Sequence, residues 1–153
     1  MTLARLIASG FGSGFFPVAP GTAGSLVAVL LGAGLLWVSP VALPVAVLAA
    51  AFGGLWAVTV ARAGDDPGWV VIDEFAGQWI AMLPLARPTP GGLLAAFLLF
   101  RFLDVVKPGP IGWADRQHGP AGVMADDLIA GAIAAGILWA VQSRWPGVFD
   151  WPG

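Results

Sequence analysis

The feature that most constrains the fold is an uncharged run, since residues 22–60 contain no Asp, Glu, Lys, Arg or His. A soluble domain of this size cannot bury so long a stretch in one core. The composition supports the same conclusion, since 58% of the residues are apolar and the mean hydropathy is +0.85. Only 10% of the residues are charged, whereas about a quarter are charged in soluble proteins. The run therefore predicts a chain that lies in lipid.

The charges and the missing residue types exclude several classes of protein. The net charge is −2 with seven Lys and Arg in all, so the clustered positive charge that binds nucleic acid is absent. There is no Cys, which excludes a disulfide framework, a thiolate nucleophile and a Cys-based zinc site. Residues 1–14 lack a long apolar core followed by a cleavage site, so we expect them to belong to the mature protein.

Apolar segments separated by Pro and Gly predict about four to five helices. Ser39-Pro40 and Pro44 divide the uncharged run into a helical hairpin, and residues 111–124 are predicted to be a polar loop. Several segments are shorter than the ~20 residues that span a bilayer, so the number of crossings stays open. The sequence thus predicts an all-α, compact membrane-embedded helical bundle, a single domain over residues 1–153, with helices at about 23–38, 41–60, 69–85, 91–106 and 126–141.

The charged residues predict an orientation if all five segments cross. Most basic residues then share one side with the N-terminus, and the positive-inside rule assigns that side to the cytoplasm. Arg144, Trp145 and Trp151 are predicted to be interfacial anchors on the other side, which also holds Arg87. The cytoplasmic half would contain Arg5, Arg62, Lys107 and Arg116 together with Asp65, Asp66, Asp73, Glu74, Asp104, Asp126 and Asp127.

Acids in membrane segments are functional candidates, because a buried carboxylate is costly unless it is paired, wet or bound to metal. Each also has a plain structural explanation. Asp73 and Glu74 suit the positive end of a helix dipole, and Asp104 can pair with the arginine three residues before it. Asp126 and Asp127 can be an N-cap and a first-turn acid. These explanations do not account for three segments placing acids at one depth.

Clustered oxygen ligands with no Cys and a single His favour a hard cation such as Mg²⁺. His118 is predicted to lie on the surface. Arg101, Lys107 and Arg116 can bind phosphate on the same side as the acids, unless they are ordinary positive-inside signals. Without Cys, paired His or an Asp-x-Asp motif, metal-assisted attack by water is the simplest phosphoryl chemistry available.

A glycine-rich loop is predicted just before the first apolar helix. Residues 10–25 hold five Gly and two Pro and end in the sequence PGTAGS. Such a loop can aim backbone N–H groups at an anion. The alternative is that Thr22 and Ser25 are helix caps.

Four ordered motifs span the chain from about residue 10 to residue 136. They are Gly12-Ser13-Gly14 with Pro17 and PGTAGS at 20–25, DEFAGQWI at 73–80, FRFLD at 100–104 leading to KPGPI at 107–111, and GVMADD at 122–127. Together they resemble the motifs of the bacterial phosphatidylglycerophosphatase A family. The chain departs from that pattern at residues 119–122, where the family usually has a Gly-Gly pair, and at Gln78, where an apolar residue is common.

The resemblance implies a phosphatase of the bacterial inner membrane that uses Mg²⁺, and the orientation predicted from the charges puts its active site on the cytoplasmic face. It implies hydrolysis of phosphatidylglycerophosphate to phosphatidylglycerol and inorganic phosphate, with no nucleic acid involved. We hypothesise that Glu74, Asp104 and Asp127 hold Mg²⁺, with Asp73 and Asp126 as further ligands or as the base that activates water. The phosphate would be held by Pro20, Gly21, Thr22, Ser25, Arg101 and Lys107.

Three other functions are alternatives to the phosphatase. A small transporter with buried carboxylates would spread them through the membrane depth. A Mg²⁺-dependent transferase of nucleotide-activated lipids would carry Asp-Gly-x-x-Ala-Arg, which is absent. A purely structural subunit would leave the intramembrane charges without a reason.

Overall fold

The computed structural model describes residues 1–61 and 67–150, and the predictions for Arg62, Asp65, Asp66 and Trp151 fall outside these ranges. Within them the chain forms helices and no strand, which confirms the predicted all-α bundle. A single 3₁₀ turn, Ser13–Phe15, precedes the second helix. The α-helices are α1 (Leu3–Ala8), α2 (Pro20–Val38), α3 (Ala42–Val60), α4 (Ile72–Met82), α5 (Pro90–Val106), α6 (Pro110–Asp115) and α7 (Pro120–Arg144).

Three of these helices, α2, α3 and α7, are long and apolar enough to cross a membrane. The predicted hairpin is therefore present as α2 and α3, joined by a turn at Pro40 and Val41. Much of its surface is apolar and exposed, as at Leu30, Trp37 and Phe52. A patch this apolar is expected to face lipid rather than water. The protein is a membrane protein whose outer helices meet the bilayer.

Helix α4 lies at the centre of the bundle. It has only 11 residues, nine of them buried, and it packs against α2, α3, α5 and α7. At about 1.5 Å per residue it is roughly half as long as the hydrocarbon core is thick. Trp79 of α4 donates a hydrogen bond to the carbonyl of Ala28 in α2, 2.7 Å away. The segment predicted at 69–85 is thus a short interior helix enclosed by longer ones.

Helices α4 and α7 approach until their backbones touch. A Cβ added to Gly77 would lie 2.5 Å from the carbonyl oxygen of Asp127. A Cβ added to Gly131 would lie 2.9 Å from the Cα of Gly77 and closer still to its carbonyl. Small residues at a helix crossing allow such contact. The crossing brings the acids of α4 next to those of α7.

The prediction of a polar loop at residues 111–124 is wrong. It contains α6, and α7 begins at Pro120 rather than at Asp126. Pro110 and Pro120 start these helices, where proline's missing N–H has no helical partner and its φ suits the first turn. Each follows a glycine with positive φ, Gly109 at 54° and Gly119 at 83°. The sequence analysis predicted no helix start at either proline.

Candidate active site

The predicted acids of the described chain gather at one end of the bundle. Asp73 and Glu74 lie in the first turn of α4, and Asp104 lies in the last turn of α5. Asp126 and Asp127 lie about two turns into α7, so their reading as an N-cap and a first-turn acid is wrong. Because α4 and α7 cross at Gly77, these carboxylates are close in space although they are far apart in sequence.

The carboxylates form two sets of three that share Asp127. The first set is Asp73, Glu74 and Asp127, and the second is Asp104, Asp126 and Asp127. In each set one oxygen per residue lies within 4.8 Å of the others. Glu74 and Asp104, which we predicted as ligands of one ion with Asp127, belong to different sets. Asp127 is the residue common to both.

The burial of these acids fits a bound cation. Asp127 is only 3% exposed, and its Oδ2 accepts no hydrogen bond from the described residues. Oε2 of Glu74 is buried and equally unpaired there. Leaving an ionised oxygen buried without a partner costs several kcal/mol in general. An all-oxygen set of this kind suits a hard divalent ion, which would supply the missing partner.

Arg101 connects the acids to the start of α2. Its Nη1 donates to Oδ2 of Asp104, so the predicted ion pair between the two is present. Its Nη2 lies 3.5 Å from the hydroxyl oxygen of Thr22. Asp104 is nevertheless also a member of the second acid set. The pair therefore does not account for Asp104 by itself, and the guanidinium stands where it can meet an anion at the cluster.

Lys107 ends α5 in the left-handed conformation, with φ of 50°. Its ammonium donates to Asp115 and to Asp126, the latter at 2.6 Å. Burial works to lower the pKa of Lys107, but the hydrogen bonds to Asp115 and Asp126 outweigh it and raise the pKa above its ordinary value. Lys107 is thus firmly charged and already paired with a member of the acid cluster. Asp115, which the sequence analysis missed, lies eight residues after Lys107, beyond any local helical pairing pattern.

The last part of the predicted glycine-rich loop, residues 20–25, is the beginning of α2 itself. Pro20 occupies the first turn, where it favours helix, and Ala19 is the N-cap, so neither Thr22 nor Ser25 is a cap. The Ser25 hydroxyl is fully buried and donates to the carbonyl of Gly21 at 2.9 Å. Of the four residues predicted there to hold phosphate, Ser25 therefore points its hydroxyl into its own helix.

Gly21 brings the start of α2 against the acids. A Cβ at this position would lie 3.4 Å from Cδ of Glu74, closer still to its Oε1, and 3.5 Å from Nη1 of Arg101. The first N–H groups of a helix have no partner within the helix and carry its positive dipole. The start of α2 and Arg101 thus flank the carboxylates with positive charge, which is the electrostatic arrangement a phosphate requires.

Three further residues that the sequence analysis discussed belong to neither acid set. Arg116 and His118 are exposed after α6, the latter as predicted. Gln78 lies one turn after Glu74 on α4, and it is completely buried with neither amide atom hydrogen-bonded to the described residues. The sequence signal at Gln78 was its polarity in an otherwise apolar stretch.

Comparison with known proteins identifies the family of this chain. The sequence model of the family described as Phosphatidylglycerophosphatase A matches residues 6–142. The chain belongs to the phosphatidylglycerophosphatase A family. This confirms the resemblance carried by the four motifs and the prediction of a phosphatase enzyme.

One relative is the phosphatidylglycerophosphatase A of Escherichia coli strain K12. It is 40% identical to this chain, over 93% of this chain and 85% of the relative's own length. That of Haemophilus influenzae is 39% identical over 90% of this chain and 88% of its own. A putative phosphatidylinositol-3-phosphatase of Bacteroides thetaiotaomicron is 40% identical, over 92% of each chain. No solved structure gave a significant match.

For this phosphatidylglycerophosphatase A family member, Gly21→Ala should impair activity while sparing the fold. Alanine suits a helix start, but its methyl group would displace the Glu74 carboxylate. We expect the rate of phosphate release to fall on the order of 10- to 100-fold, the range that losing a group which orients a metal ligand typically costs in metalloenzymes. Phosphate assays and thermal unfolding in detergent measure the two effects.

Gly34→Ala is the matched control for Gly21→Ala. Gly34 lies in the same helix, and a Cβ there would meet nothing within 4 Å. It should keep full activity, with stability unchanged or raised by up to about 1 kcal/mol. Equal activity of both variants would contradict the placement of Gly21 against Glu74.

Proposed function

We propose that the protein is a Mg²⁺-dependent lipid phosphatase that hydrolyses phosphatidylglycerophosphate to phosphatidylglycerol and inorganic phosphate. The observation that carries the proposal is the convergence of five carboxylates beside the start of α2 and Arg101. Among the described residues, the buried Oε2 of Glu74 and Oδ2 of Asp127 have no hydrogen-bond partner. The choice of substrate is supported by the names of the relatives from Escherichia coli and Haemophilus influenzae.

The proposed site divides the work between acids and cations. When bound, Mg²⁺ would neutralise phosphate charge and lower the pKa of a water molecule. Asp127 would hold the ion together with Glu74 or with Asp104, its neighbours in the two acid sets, and Asp73 or Asp126 would accept a proton from the attacking water at a carboxylate oxygen. Arg101 and the N–H groups at the start of α2 bind the phosphate oxygens. The water oxygen bonds to phosphorus, and the glycerol oxygen leaves and takes up a proton.

The proposed orientation has this site facing the cytoplasm from the bacterial inner membrane. It is supported by the basic residues near the acid end, Arg5 in α1 and Lys107 after α5, as the positive-inside rule requires. The backbone N–H of Val71, just before α4, donates to the carbonyl of Ala8, which ties α1 to this end. The crowding of the acids at one end counts against the transporter alternative.

The test is the phosphate released from phosphatidylglycerophosphate by detergent-purified protein, with Mg²⁺ and with excess chelator. We expect release with Mg²⁺ and essentially none with chelator, restored when Mg²⁺ is added back. Phosphatidylinositol 3-phosphate should be assayed in parallel, because one relative is named for that substrate. No release from any lipid phosphate by protein shown to be folded would contradict the proposal and favour the transporter.

A further inference from the structure

An apolar groove of about 370 Å³ runs along the outer side of α2. Phe16 and Val18, from the segment before α2, form one part of its lining, and Leu26 and Val27 of α2 form another. Phe16 and Val18 are 59% and 71% exposed, although both are apolar. A volume of this size is typical of small-molecule binding sites.

One residue that lines the groove lies beside Arg101. Thr22 lines it, and the hydroxyl oxygen of the same Thr22 lies 3.5 Å from Nη2 of Arg101. The preceding residue, Gly21, abuts the Glu74 carboxylate. Through Thr22 the groove therefore adjoins Arg101, where the proposed function puts the phosphate.

The other part of the groove lies deeper along a helix that can cross the membrane. Leu26 is four residues beyond Thr22 in α2, which is one helical turn, or about 6 Å, further along the helix axis. A membrane lipid has the same arrangement, since its phosphate lies at the surface and its acyl chains extend into the hydrocarbon.

We propose that this groove binds an acyl chain of the lipid phosphate substrate while the phosphate lies at Arg101. This inference rests on the proposed function and adds to it a binding site for the apolar part of the substrate. The polar end of the groove at Thr22 and its apolar continuation past Leu26 match the two parts of one lipid molecule. The enzyme would thereby select lipid-borne phosphates over soluble ones.

The test uses the variant Leu26→Trp, in which the larger side chain fills the groove and none of the acids is changed. We expect KM for dioleoyl phosphatidylglycerophosphate in mixed micelles to rise about tenfold, the ratio that corresponds to losing roughly two buried methylene groups. Its kcat should be unchanged, as should the rate on the deacylated headgroup phosphate. Leu48→Trp is the matched control, since Leu48 is a similarly exposed leucine on α3 outside the groove, and it should behave as wild type.

A second readout does not depend on turnover. A phosphatidylglycerophosphate with a photoreactive group in one acyl chain, added with chelator, should label residues 16–27 in the wild-type protein and do so much less in Leu26→Trp. Label spread evenly over the exposed faces of α2 and α3, as bulk lipid would give, would overturn the inference.

The two proposals fail in different ways. If wild type releases phosphate with Mg²⁺ and Leu26→Trp keeps the wild-type KM for the dioleoyl substrate, the groove is not an acyl site and the phosphatase function stands. If wild type releases no phosphate from any lipid, the proposed function fails and the acyl site fails with it.

Discussion

Asp127→Asn is expected to reduce phosphate release from phosphatidylglycerophosphate on the order of a thousandfold, because it would weaken binding of the cation whose charge stabilises the transition state. Asp127 is the residue shared by both acid sets, so its loss weakens each of them. Asparagine has nearly the same shape but carries no charge. The effect should therefore appear in cation binding and in rate, with the helices left in place.

Although the rate of phosphate release falls, the thermal stability of the Asp127→Asn protein should not fall. Without a bound cation, removing one of several buried like charges relieves repulsion, so the unfolding temperature should stay equal or rise. Added Mg²⁺ should raise the unfolding temperature of wild type by ligand linkage, and much less that of the variant. Thermal unfolding in detergent, across a Mg²⁺ titration, measures both.

Asp150→Asn is the control for Asp127→Asn. Asp150 is an exposed acid that belongs to neither acid set. It lines a different cavity, together with Arg87 and Thr89, beyond the C-terminal end of α7. It should keep the wild-type rate and the wild-type response to Mg²⁺. Near-normal turnover by the Asp127→Asn protein would show that neither acid set holds the catalytic ion.

Gly131→Ala is expected to have the largest effect on stability. Its methyl group would meet the backbone of Gly77, which cannot move aside as a side chain can. Overpacking of this kind costs about 1–3 kcal/mol, and the greater helix propensity of alanine offsets at most about 1 kcal/mol of that. Helices α4 and α7 must separate, which also moves Asp73 and Glu74 away from Asp127. We expect a lower unfolding temperature in detergent together with loss of Mg²⁺-dependent activity.

Gly136→Ala provides the comparison within the same helix. Gly136 is exposed, and a Cβ there would meet nothing within 4 Å. This variant should be as stable as wild type or slightly more so, and fully active. If both glycine variants unfold at the same temperature, the close crossing of α4 and α7 is not what holds the site together.

The helical hairpin was predictable because its signals are local. An uncharged run must meet lipid, and in lipid the backbone satisfies its own hydrogen bonds most simply as helix. The boundaries of α2 and α3 agree with the predicted 23–38 and 41–60 to within three residues. The starts of α6 and α7 were missed because Pro110 and Pro120 serve as first-turn residues, and a proline's local sequence does not say whether it ends one helix or begins the next.

The sequence by itself determined that this is a helical membrane protein, since hydropathy suffices for that, and the order of the charges along the chain predicted that the acids collect at one end. Only the tertiary structure decided that α4 is the enclosed helix, that Asp127 joins both acid sets and that Gly21 abuts Glu74. The physical reason is that these relations depend on how closely helices distant in sequence approach one another. That distance is set by side chains on both partners, as at Gly77 and Gly131, and no local pattern contains it.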